Sequence, residues 1–275
     1  MHQAESALVA AVLRNGKNSL LELQINSDRF SQDQNERTET MTAFSRRNFL
    51  FVSSGAAAGS LLVPGVADAE EHDDQFAQSG LVTGKPKPLR HTAIPGFLSA
   101  EQISPHHTAH YGGALKGYSA LDEKLQAGIQ QGDKIDPNAY GAMQRGRASK
   151  GNSVILHELY FDGLIPDRLD PKADVRSAIE KRFGSLEKWA DDFQNSAKAA
   201  AGWAMLVMHP VNGKLYNVVS DEHAQGLLWM AVPLVVIDTY EHAFYIDYHN
   251  RKAEYVERFM DHIDWDEVNG RFRGA

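Results

Sequence analysis

The decapeptide Val236-Ile237-Asp238-Thr239-Tyr240-Glu241-His242-Ala243-Phe244-Tyr245 leaves an apolar run through an aspartate and brings a Glu-His pair among aromatics directly after it. A carboxylate and an imidazole four residues apart are costly to bury in such company unless something compensates them. A metal ion is one such compensation. The chain contains no cysteine, which excludes disulfides, thiolate metal sites and cysteine nucleophiles. Further ligands must therefore be histidines or carboxylates. His157 sits in the apolar stretch "VILHELYF". His106, His107 and His110 cluster in "SPHHTAHYGG", with His106 and His110 on one face of a helix and able to form a small zinc-type pair. Each of these has a plainer reading. Asp238 could cap a turn beside an interfacial His242, His157 could be a satisfied core residue, and His106, His107 and His110 could make a self-contained zinc module.

The elements that must bring these residues together can be read coarsely. Residues 99–164 are helical in character, with Ser104-Pro105 as a cap and first-turn pair. The polar connection "QQGDKIDPNAYG" then leads to a second helix, "NSVILHELYFDGLI", that stops at Pro166. After Pro171, "DVRSAIEKRFGSLEKWADDFQNSAKAAA" reads as two amphipathic helices broken at Gly184-Ser185. "GWAMLVMHP" and "KLYNVVSDEH" are strand-like, and Asn212-Gly213 between them favours a tight hairpin turn. "AVPLVVID" is a third strand, and the C-terminal stretch is helical again. The fold class is α+β: an N-terminal antiparallel helical hairpin, residues 96–166, followed in residues 167–275 by a small three-stranded antiparallel sheet flanked by helices.

The chain has 275 residues, 43% of them hydrophobic, and a net charge of −8. That balance argues against nucleic acid or an anionic membrane as the main partner. Residues 45–69, "SRRNFLFVSSGAAAGSLLVPGVADA", resemble a twin-arginine export signal: Arg46-Arg47, a moderately apolar stretch, and the A-x-A-like site Ala67-Asp68-Ala69. Pro64 and several glycines interrupt the apolar stretch and argue against a membrane span. Residues 41–69 are thus expected to be a signal peptide and 70–95 a solvated leader. Residues 1–40 are either a disordered extension or a mis-called start ahead of Met41. The expected location is the periplasm or another destination outside the membrane reached by the twin-arginine route, with no stable membrane association after signal removal.

Taken together, one histidine from each hairpin helix and an Asp-x-x-x-His after a late strand resemble the iron/manganese superoxide dismutase family. "DTYEHAFYIDYHNRKAEYVERFMDHIDWDEV" is similar to that family's D-x-W-E-H-A-Y-Y region and the helix after it, and "LHELYFDGL", "AAAGWAMLV" and "GKLYNVVS" match further blocks in order. The resemblance covers residues 92–272 and implies one iron or manganese ion per chain, held by His110, His157, Asp238 and His242 with solvent as a fifth ligand. His110 is preferred to His106 because "HYGGALKGY" then places Tyr118 eight residues on, where the family keeps a gateway tyrosine; with His106 that position would be Ala114. The implied activity converts superoxide to dioxygen and hydrogen peroxide. The alternative is a non-catalytic or weakly active exported metal-binding protein of the same fold. His223, or failing it Gln225, is expected to tune the metal-bound solvent, and Trp203, Phe161 and Tyr240 to wall the site. Phe161, Tyr240 and Met205 stand where the family usually has tryptophans, and Ala114 where it has the histidine that pairs with a tyrosine such as Tyr245 across the dimer. Glu241 matches the acid that bridges to a partner subunit, which implies a homodimer. Lys116 and Arg251 are the candidate charges for guiding the anion.

Overall fold

The computed structural model of the chain describes residues 76–132 and 134–275. The expected signal at residues 45–69 and the expected extension at 1–40 lie outside the described residues. A single helical turn, α1 (Gly80–Thr83), opens the described chain. It corrects the expected solvated leader: Ser79, Gly80 and Ile94 are buried, because the Gly80 N–H bonds Glu158 and Ile94 joins the apolar core. Helix α1 is followed by α2 (Ala100–Pro105), a π-helical turn over His106–Tyr111, and the long helices α3 (Gly112–Gln131) and α4 (Pro137–Asp162). Ser99, rather than Ser104, caps α2, its hydroxyl accepting from the Gln102 N–H at 3.1 Å. Pro105 ends α2 instead of starting a helix.

The connection between α3 and α4 is shorter than the polar run suggests. Gly132 closes α3 in the left-handed conformation at φ 67°, and Asp136 already caps α4, accepting from Asn138 and Ala139. Contacts between the two helices run in opposite senses along the chain. Arg147 bonds Asp122, Lys150 lies on Gly117 and Tyr111 bonds Glu158, so the helices are antiparallel.

The second half holds α5 (Ala173–Phe183), α6 (Leu186–Ala199), strands β1 (Trp203–His209), β2 (Lys214–Ser220) and β3 (Val232–Asp238), then α7 (Tyr245–Tyr248), α8 (Lys252–Phe259) and α9 (Trp265–Gly274). The sheet is antiparallel in the order β2-β1-β3. Its first turn has the expected chemistry: Gly213 adopts φ 62°, and the Asn212 side-chain oxygen accepts from the Lys214 N–H. Helix α6 packs on β1 and β2, while α4 and α9 pack on β3. Trp189 and Phe193 of α6 are fully buried between the sheet and the C-terminal helices, and the Trp189 indole N–H still reaches Asn217 Oδ1 at 3.1 Å. The sheet register pairs Trp203 with both Ser220 and Asp238. One end of the sheet therefore holds the start of β1, the end of β2 and the end of β3. That end faces α4 and the π turn.

Candidate metal centre

Asp238 is the last residue of β3 and has no solvent exposure. Its Oδ1 accepts from the Tyr240 N–H at 3.0 Å, which turns Oδ2 toward three imidazoles. His106 Nε2 lies 3.1 Å from that oxygen, His242 Nε2 3.3 Å and His157 Nε2 3.6 Å. One ligand atom from each of the four residues lies within 4.8 Å of all the others. The end of a strand, the turn after it, the π turn and α4 thus converge on one point. Behind Asp238, its carbonyl accepts from the Tyr255 hydroxyl at 2.8 Å, and Tyr160 meets Tyr255 oxygen to oxygen at 3.0 Å.

The donor chemistry of the cluster fits a cation at its middle. His157 Nδ1 is 2.7 Å from the Ser153 carbonyl, an acceptor only, so the ring proton sits on Nδ1 and Nε2 offers a lone pair. Nε2 is buried with no hydrogen-bond partner, and it faces a carboxylate oxygen. Two lone pairs pointed at one another in a dry site are unfavourable unless a cation lies between them. Burial keeps His157 and His106 neutral, as ligation requires: it holds His157 down to about 3 and lowers His106 against the pull of Asp238. Burial alone would raise Asp238, but hydrogen bonds from His106 and His242 overcome it and hold the carboxyl well below its usual range. Imidazole nitrogens and an ionised carboxylate suit a divalent or trivalent ion of moderate hardness.

The structure brings together three of the four expected ligands and corrects the fourth. His106, 1% exposed, completes the cluster, whereas His110 is exposed and stacks on the His242 ring at 3.8 Å between centroids. The π turn is the physical reason. It fits an extra residue into the turn, so four-residue spacing no longer delivers both rings to the same point. Burial, followed by the neighbouring His242, lowers His110 to about 4. The Tyr118 assignment moves with the ligand. Its ring lies against Gly151, about 9 Å along α4 from His157, and eight residues after His106 comes buried Ala114. The zinc module is excluded by the same geometry, because His107 Nε2 is 2.8 Å from the Lys87 carbonyl while His106 turns inward.

Other expected neighbours are in place. The Trp203 indole N–H donates to His223 Nδ1 at 3.0 Å, and Trp203 meets His157 edge-on at 5.1 Å. His223 lies 6.3 Å from the His157 ring, and burial lowers its pKa. Gln225 is exposed, contributing its backbone oxygen to Ser220. Phe161 packs 4.8 Å from His106, and Tyr240 stacks on His242 at 5.2 Å. Met205 is fully buried within β1. Glu241 is exposed beside an open cleft of about 680 Å³ that also takes in Tyr240, His242 and Tyr245. Arg251 is committed to Glu254 at 2.7 Å, and Lys116 lines a separate surface groove, so neither stands at the site. The cation that acts on His223 is Lys150, which sequence reasoning missed. It falls two turns before His157 on the same face of α4, a spacing that could have found it.

Comparison with known proteins agrees with this geometry. The C-terminal domain of iron/manganese superoxide dismutases matches residues 171–271. The chain is 34% identical to superoxide dismutase [Mn] 2 of Haloferax volcanii over 191 residues, 69% of this chain and 94% of that one. It is 36% identical to superoxide dismutase [Fe] of Aquifex pyrophilus over 182 residues, covering 65% of this chain and 85% of its relative. The superoxide dismutase [Fe] of Cupriavidus metallidurans is 34% identical over 183 residues. With nearly the whole length of these relatives matched and a His₃Asp cluster at the end of its sheet, the chain belongs to the iron/manganese superoxide dismutase family.

Proposed function

We propose that the protein is a superoxide dismutase, converting two superoxide anions and two protons to dioxygen and hydrogen peroxide with one iron or manganese ion held by His106, His157, Asp238 and His242. The observation that carries this reading is the buried, unpartnered His157 Nε2 facing Asp238 Oδ2 across a gap ringed by two more imidazoles. When bound, the ion supplies one-electron chemistry, accepting an electron from one superoxide and returning it to the next. The chain's own residues do the rest. Ser153 fixes the His157 tautomer so that a lone pair points inward. Asp238 supplies the anionic oxygen that balances the ion's charge. Trp203 donates to His223 Nδ1, which leaves the His223 proton on Nε2, so that this nitrogen serves as a hydrogen-bond donor. Phe161 and Tyr240 keep bulk water off the imidazoles.

Lys150 is the local positive charge that draws the anion in against a net charge of −8. A homodimer fits the open cleft beside His242, with Glu241, Tyr245 and the exposed Ile246 facing a second copy. The twin-arginine-type signal in residues 45–69 supports export to the periplasm, with residues 96–166 and 167–275 travelling as a hairpin domain and an α/β domain.

Metal analysis and superoxide removal together test the reading. The expected result is iron or manganese near one per chain, with metal and activity lost in His106→Ala, His157→Ala and Asp238→Ala, and metal retained in His110→Ala. Metal that survives both His157→Ala and Asp238→Ala would sink the proposal.

A further inference from the structure

Next to ligand His157, α4 buries a second carboxylate with no place in the metal cluster. Glu158 is 5% exposed, and its Oε1 accepts two hydrogen bonds, from the Gly80 N–H at 2.8 Å and from the Tyr111 hydroxyl at 2.8 Å. Tyr111, 1% exposed, closes the π turn that His106 opens. Its oxygen in turn accepts from the Lys87 N–H at 2.7 Å. The hydrogen bonds therefore run in one direction, from the Lys87 N–H through the tyrosine to the carboxylate, where the Gly80 N–H joins them. Around this node the same segment grips both ligand-bearing elements again. Lys87 Nζ reaches Asp162 Oδ2 at 2.6 Å, the Lys87 carbonyl meets His107 Nε2 at 2.8 Å, and Arg90 donates to the Asp162 carbonyl at 2.7 Å.

We infer that residues 79–90 are a clasp for the metal centre, and that Glu158 and Tyr111 are positioning residues that hold His157 and His106 at one fixed separation. The inference rests on the metal reading above and deepens it. Apolar packing between two helices leaves sliding and rotation soft, whereas ligands to one ion must agree to within a few tenths of an ångström. The Tyr111–Glu158 bond removes that freedom one residue from one ligand and five from the other. It lies in a dry region where a misplaced polar atom is costly. Gly80 is what lets the strap come close enough. A Cβ there would stand 2.9 Å from both Tyr111 Oη and Leu115 Cδ2, and 3.2 Å from the Lys85 carbonyl.

The test uses the full chain loaded with Mn(II), following metal loss to excess chelator and the electron paramagnetic resonance line shape of the bound ion. Tyr111→Phe cuts the node from the helix side; Gly80→Val forces the strap away from Tyr111 and Leu115 without changing the sequence of either ligand-bearing element. Both variants are expected to release metal about tenfold faster than wild type, with a changed line shape. Glu158→Gln, which keeps an accepting oxygen, is expected to fall between them and wild type and provides a readout if either harsher variant does not fold. Unchanged release and line shape in the folded variants would overturn the clasp alone. Failure of the wild-type chain to hold Mn(II) or Fe(II) would overturn the metal reading and the clasp with it.

Discussion

Trp203 is fully buried, yet it works through a single hydrogen atom. By donating to His223 Nδ1 at 3.0 Å it dictates which nitrogen of that imidazole keeps the proton. Trp203→Phe preserves most of the packing and removes the donor. The expected outcome is full metal content with turnover reduced about tenfold and a shifted pH profile; an unchanged profile would show that His223 is oriented by something else. Residue identity at this scale was largely legible in the sequence. Asp238, His157 and His242 are implied as ligands by the family resemblance, and the structure brings the three together. His106 could not be chosen over His110, because the choice depends on a π turn that helical periodicity does not announce. Tyr118 follows His110 by eight residues, yet its ring lies against Gly151, away from the cluster.

Among the elements, the sheet was easier to read than the hairpin. The β1–β2 turn is written in Asn212-Gly213, and the three strands are short apolar runs with clear ends. Helix α4 is only half legible, since its first turns, "PNAYGAMQRGRASKG", carry glycines and charges instead of an apolar stripe; packing against α3 decides that they are helical. Helix α6 anchors the sheet through Phe193, which has no solvent exposure and stacks on Phe259 of α8. Phe193→Ala should cost about 3–5 kcal/mol, read as a lower urea midpoint. Metal bound per folded chain should be unchanged, because the element sits behind the sheet and not at its ligand end. A small loss of stability with loss of metal would reverse that division of labour.

For the molecule as a whole, charge and acidity give two expectations. A chain of net charge −8 that consumes an anion must rely on local potential, so the rate should fall as ionic strength rises, and Lys150→Gln should flatten that dependence. A wild-type rate insensitive to salt would remove Lys150 from the account. The metal-free chain should also weaken toward acid. Burial holds His157 down to about 3 in the fold, while the same group in an unfolded chain titrates near 6.5. Between these values the unfolded chain binds the extra proton. Stability is therefore complete above about pH 6.5 and drains as the pH falls toward 3, by up to about 1.4 kcal/mol per unit. Asp238, held low in the fold, adds a loss of the same sign once the pH falls below about 4. A urea midpoint in chelator that stays flat from pH 7 to 4 would contradict this.

The latch of Tyr160 and Tyr255 behind Asp238 has a consequence in time. The first ligand, His106, lies early in the folded region, the last, His242, lies late, and Tyr255 on α8 is still to come when Asp238 leaves the ribosome. No nascent fragment ending before α8 possesses the finished cavity. A ligand cage braced behind Asp238 therefore exists only in a polypeptide that extends through α8.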